Sequence, residues 1–109
     1  MSLGSRMDRL ERQLTELPEG SDKVQLLAAM KTLRRKVADV VGVRHVLEEP
    51  GDMLSKLRAS EHIELYEDEM KSSVSKLGRL IAILPEGELK DRIVETYDLI
   101  NILIGSGNK

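Results

Sequence analysis

The 109-residue chain has no cysteine, no tryptophan and no phenylalanine, and only two tyrosines, Tyr66 and Tyr97. Without cysteine, disulfide bonds, thiolate metal sites and cysteine nucleophiles are excluded. Without tryptophan and phenylalanine, the core must be built from Leu, Ile, Val and Met, which interlock well where helices lie side by side. No run of about 18 apolar residues occurs, so no segment reads as a membrane span. Neither sign of charge dominates: 17 Lys and Arg stand against 19 Asp and Glu, a net charge of −2. That balance differs from the basic footprint of a nucleic-acid binder. A glycine-rich phosphate loop, a nucleophile elbow and paired catalytic acids are all missing. Proline is scarce too, and the three present, Pro18, Pro50 and Pro85, cut the chain into four segments.

What those segments contain is helical periodicity. Met7, Leu10, Leu14 and Leu17 step by 3, 4 and 3, which predicts a first helix from about Arg6 to Leu17, ended by Pro18. Ser21 is the expected N-cap of the second helix, from about Asp22 to Leu47. Its stripe is Leu26, Met30, Leu33, Val37 and Val40, continued through Arg44 to Leu47. The 3.5-residue period of that stripe is that of a left-handed seam. Asp52 is expected to cap a third helix from about Met53 to Leu84. Its later half has a clear seam at Met70, Val74, Leu77, Ile81 and Leu84. Its earlier half is weaker, with Met53, Leu54, Leu57, Ile63 and Tyr66, and Ser60 where an apolar residue belongs. A fourth helix is expected from about Glu88 to Ile104, stopped by Gly105 as a left-handed cap. No segment shows sustained two-residue alternation, so no sheet is expected.

The tetrapeptide Leu-Pro-Glu-Gly occurs twice, at Leu17–Gly20 and Leu84–Gly87, an offset of 67 residues. The same offset matches Leu10 with Leu77, Arg12 with Arg79, Leu14 with Ile81, Lys23 with Lys90, Leu26 with Ile93 and Leu33 with Ile100. The expected fold is therefore an all-α, up-down-up-down four-helix bundle made of two duplicated helical hairpins. The first and last helices are shorter than the middle two, so the central hairpin should project beyond the four-helix part. Residues 7–105 read as one bundle domain. Residues 1–6 are too short and polar for a signal peptide and read as a vector-derived or disordered leader; residues 106–109 read as a disordered tail. With neither a signal peptide nor a membrane span, a cytoplasmic location is expected.

The projecting hairpin carries an apolar set that two helices alone bury poorly, and exposed apolar patches mark interfaces. Val37, Val40, Val41, Leu47, Met53, Leu54 and Leu57 are the candidate partner-binding residues. The expected function is a non-catalytic interaction or oligomerisation module, an adaptor or scaffold. Its partner is another protein or a second copy in a homodimer, with no cofactor, metal, nucleic acid or membrane. The basic run Lys31, Arg34, Arg35 and Lys36 is a weaker candidate for anion contact. Complementarity with the acidic run Glu61, Glu64, Glu67, Asp68 and Glu69 reads first as register-setting between the second and third helices. The alternative is a regulatory or phosphotransfer-type helical dimer acting through His45. Pro50 follows His45 at a distance similar to that in the phosphoacceptor hairpins of sensor histidine kinases, but Val46 stands where those carry an acid.

Overall fold

A computed structural model describes residues 2–106, with the side chain of Ser106 excepted. They form four helices, α1 (Leu3–Thr15), α2 (Ser21–Glu48), α3 (Met53–Ala82) and α4 (Glu88–Ser106), and no strand among the described residues. Helix α1 begins earlier than expected. Ser2 caps it, its Oγ accepting from the Ser5 amide at 3.2 Å, and Leu3 extends the Met7–Leu10–Leu14 stripe by one step onto the core. Residues 3–6, expected as a vector-derived or disordered leader, are helical; Met1 lies outside the described residues, as do residues 107–109 of the expected tail. Ser106 ends α4.

Proline sets the other ends. Before Pro18 and Pro85 the last turn tightens: the Leu17 amide donates to Leu14 O at 3.2 Å and the Leu84 amide to Ile81 O at 3.1 Å. Ser21 is the first helical residue of α2, and the N-cap is Gly20, which makes no side-chain cap bond. Asp52 caps α3 as expected, accepting from the Leu54 amide at 3.1 Å. Gly105 is not a left-handed cap; it lies within α4 without a positive φ. Gly42 lies in open space and does not end α2.

One core runs through all four helices. Leu10 and Leu14 come from α1, Leu26, Met30, Leu33 and Val40 from α2, Leu77 and Ile81 from α3, and Ile93 and Ile100 from α4. Helix α1 packs against α2 and α4, and α3 packs against α2 and α4. Both Leu-Pro-Glu-Gly turns border one shallow cleft, lined from Leu17 to Lys23 on one side and by Leu84 and Pro85 on the other. The same 67-residue offset recurs in details. Lys23 pairs with Glu19 at 2.8 Å and Lys90 with Glu86 at 2.9 Å. The Val24 amide donates to Gly20 O and the Asp91 amide to Gly87 O. Leu14 and Ile81 are both buried, as are Leu26 and Ile93.

One difference between positions related by that offset shapes the packing of α4 on α3. Where α2 has Met30, α4 has Tyr97, whose hydroxyl donates to Val74 O at 2.9 Å. The ring lies over Gly78, where a Cβ would sit 2.4 Å from the hydroxyl oxygen and 2.8 Å from Cζ. Gly78 therefore serves close approach, and among the described glycines it alone is required for space.

Candidate functional site

The far end of α2 and α3, beyond the reach of the core, holds the candidate site. At its inner boundary Leu3, Leu103 and Ile104 come against Val37, Val40, Val41 and Met70. This corrects one expectation. Val37 and Val40 belong to the intrachain core, Val40 at 1% exposure. The reason is length: α1 starts at Leu3 and α4 runs to Ser106, so both reach further along α2 than the apolar stripes alone implied. Arg44 occupies the next core-facing position of α2 and lies 3.8 Å from Glu67 of α3, a charged pair across the end of the apolar interior.

Past that pair the chain is open. Of the nine large apolar residues that are exposed among the described residues, six lie between Val41 and Leu65: Val41, Val46, Met53, Leu54, Leu57 and Leu65. Of the expected partner-binding set, Val41, Met53, Leu54 and Leu57 are thus exposed, Leu47 is half-buried, and Val37 and Val40 are interior. Exposure reaches 77% at Met53, 56% at Leu54, 55% at Leu57 and 53% at Leu65.

The inner stripe of α3 also runs differently from the expected one. It passes through Ala59, Ile63, Tyr66 and Met70, not through Leu57 and Ser60. Taking 100° per residue, Leu54, Leu57 and Leu65 point roughly opposite to that stripe. They form a second apolar line on the outer face of the helix. Leu65 was not among the sequence candidates. Its signal is its spacing of 11 residues from Leu54, three helical turns, which puts both on one face.

The charges on either side are used unequally. In the basic run, Arg34 binds Asp8 and lies 3.4 Å from Glu11, tying α2 to α1. Lys36 binds Glu69 at 2.6 Å, tying α2 to α3. Two of the four anion-contact candidates are therefore engaged within the chain, while Lys31 and Arg35 are exposed. The pair Lys36–Glu69 joins the basic and acidic runs, and Arg44, outside the basic run, adds a second contact to the acidic run at Glu67. Each is partly exposed, and such pairs contribute well under about 1 kcal/mol, so their role is register more than stability.

His45 is exposed near the end of α2, its Nε2 3.2 Å from Glu49 one turn on. His62 stacks on Tyr66 with ring centroids 5.9 Å apart. No group of three or more His, Asp or Glu among the described residues is placed to hold a metal ion. An open cleft of about 300 Å³ lies between α2 and α3 nearer the Leu-Pro-Glu-Gly turns. Gln25, Ala28, Ala29, Thr32, Ser73, Lys76 and Leu80 line it; they offer amide, hydroxyl and ammonium groups but no carboxylate or imidazole. No helix among the described residues is long and apolar enough to cross a membrane. Comparison with protein-family models, curated proteins and solved structures finds no match to this chain.

Proposed function

We propose that the chain is a protein-contact module, an adaptor, scaffold or oligomerisation domain, whose working surface is the hairpin formed by the far halves of α2 and α3. In this reading the bundle is an up-down-up-down duplication. The two Leu-Pro-Glu-Gly hairpins build a closed four-helix end, and the α2–α3 hairpin projects from it. The shared 67-residue offset of turns, ion pairs and buried positions supports the duplication. The structure's length of 51 Å against a width of 26 Å supports the projection.

The observation that carries the functional reading is the concentration of exposed apolar side chains on that hairpin, six of nine. The core of the same chain buries Leu10, Leu14, Leu26, Leu33 and Leu77 almost completely, whereas Leu54, Leu57 and Leu65 are more than half exposed. Contiguous exposed apolar surface is uncommon without a partner, and helical faces of this kind are read by other helices.

Site-specific photo-crosslinking in cells tests this. A crosslinker at position 57 should give a discrete adduct with a protein, either another chain of the same sequence or a different one. The same group at position 9, on the exposed surface of α1, should not. Leu54→Glu should suppress the adduct at 57 while helical content is kept. No adduct at 57 above that at 9 refutes the reading. Val40→Glu, by contrast, should unfold the chain, because Val40 is interior and a carboxylate there has no partner.

A phosphotransfer role through His45 is the second reading. Its support is an exposed imidazole with a carboxylate at 3.2 Å. It requires acid-labile labelling by a small phosphoryl donor such as acetyl phosphate, abolished by His45→Ala; unlabelled wild-type protein removes it.

A further inference from the structure

The outer face of α3 carries more than an apolar patch. Leu54, Arg58, Glu61 and Leu65 follow steps of 4, 3 and 4, the spacing of a heptad seam. All four side chains are exposed. Arg58 and Glu61 take part in no ion pair among the described residues, whereas Lys36 with Glu69 and Arg44 with Glu67 pair across the same two helices. The seam therefore offers two leucines at its ends and two unused charges of opposite sign between them.

Read in order, the four positions are apolar, basic, acidic, apolar. Laid parallel to itself in register, such a seam sets Arg58 against Arg58 and Glu61 against Glu61, which repels at both central layers. Laid antiparallel, it is complementary at every layer. Leucine meets leucine at both ends and each arginine meets a glutamate in the middle. Antiparallel helical seams pair the two core positions of the heptad in alternation, which is the pairing these spacings produce.

We propose that α3 docks through this outer face on the same face of a second copy of the chain. The contact is antiparallel and two-fold symmetric. Leu54 lies opposite the partner's Leu65 and Arg58 opposite the partner's Glu61, and the symmetry axis passes between residues 59 and 60. Leu57 flanks the seam and widens its apolar edge. The inference rests on the reading of the hairpin as a protein-contact surface and names the partner, the face and the register. A two-fold contact uses the same patch on both copies, which is what a self-complementary seam requires. The central charges set the register and the direction, as polar groups at core positions of helical seams do.

Light scattering coupled to size exclusion, on the full chain, is the test. Wild type should be a dimer. Arg58→Glu alone and Glu61→Arg alone should each weaken self-association by about tenfold or more, since like charges then face each other at both central layers. A 1:1 mixture of those two variants should restore a dimer containing one of each, because the acids of one then meet the bases of the other. Leu65→Glu should abolish dimers in every combination, with the circular dichroism of wild type retained. A monomeric wild type at sub-millimolar concentration overturns the proposal. So does a dimer indifferent to Leu65→Glu, and so does a mixture that fails to re-associate. A monomeric wild type that still crosslinks at position 57 to a different protein removes this inference and leaves the broader reading standing; no adduct at 57 removes both.

Discussion

Replacing glycine by alanine should have opposite effects at two positions of this chain, and the difference tests the packing of α4 on α3. Gly42 and Gly78 both lie inside helices, α2 and α3. In a helix interior, alanine is favoured over glycine by about 1 kcal/mol. At Gly42 a Cβ meets nothing within 4 Å, so Gly42→Ala should stabilise by about that amount. At Gly78 the Cβ would lie 2.4 Å from the Tyr97 hydroxyl and 2.8 Å from Cζ. The ring is stiff and half-buried, so it has to swing away from α3. Overpacking of this kind costs about 1–3 kcal/mol. The hydrogen bond from the Tyr97 hydroxyl to Val74 O, at 2.9 Å, is lost with it, a further ~0.5–1.5 kcal/mol. Set against the helix gain, Gly78→Ala should destabilise by about 0.5–3.5 kcal/mol. Urea unfolding followed by circular dichroism measures both variants. Tyr97→Met gives the decisive background, since Met is the residue that α2 carries at the matched position, Met30. With Tyr97 removed, Gly78→Ala should become stabilising. If Gly78→Ala is no worse than wild type, or equally harmful with Met at position 97, the close approach of Tyr97 to α3 is not what the glycine serves.

Leu77→Ala and Ile93→Ala, both at fully buried positions, should each cost about 2–5 kcal/mol, whereas Arg9→Ala, exposed on α1, should stay within about 0.5 kcal/mol in the same melts. Stability should fall as pH rises above about 10, the ordinary tyrosine range. Burial, and secondarily the charge of Asp98, raise the Tyr97 pKa. The unfolded chain therefore loses that proton at lower pH than the folded one, and ionisation favours unfolding between the two values. Below about pH 10 the contribution is complete, so the stability difference between wild type and Tyr97→Phe should be flat there and narrow at higher pH; an unchanged difference up to pH 11 would show that the phenol is not desolvated. For the surface of the hairpin, Leu57→Glu should leave the urea midpoint near that of wild type while Val40→Glu abolishes cooperative unfolding, and equal loss in both would place Leu57 in the core.

Much of the architecture is legible in the sequence, and the reasons are local. Pro18, Pro50 and Pro85 forbid helix continuation, so three breaks and four helices follow from the chain alone. Within each helix, the 3.6-residue period sorts side chains to a core face, which is why Leu10, Leu26, Leu33, Leu77 and Ile93 were identified as core and are buried. The cap at Asp52 follows from a carboxylate placed to reach the amide two residues on. The charge pair Lys36–Glu69 also follows from a basic run on one helix and an acidic run on its neighbour, whereas Arg44, which pairs with Glu67, lies outside that run.

What the sequence left open depended on where helices end and how far they overlap. A stripe tells which side of a helix is apolar but not whether another helix reaches it. Val37 and Val40 are interior because Leu3, Leu103 and Ile104 extend that far, and Leu3 lies in a segment whose short polar sequence carries no helical stripe of its own. Leu54 and Leu57 looked like an early stretch of the α3 seam. Packing against α2 instead selected Ala59, Ile63 and Tyr66, a choice between two apolar lines on one helix that periodicity alone does not make. Gly78 likewise carried no signal until Tyr97 came to lie over it. Local geometry and patterning are written in neighbouring residues, so the sequence determined helices, breaks and caps. Burial is a property of surfaces brought together from distant positions, so only the tertiary structure decided which leucines became core and which were left facing outward.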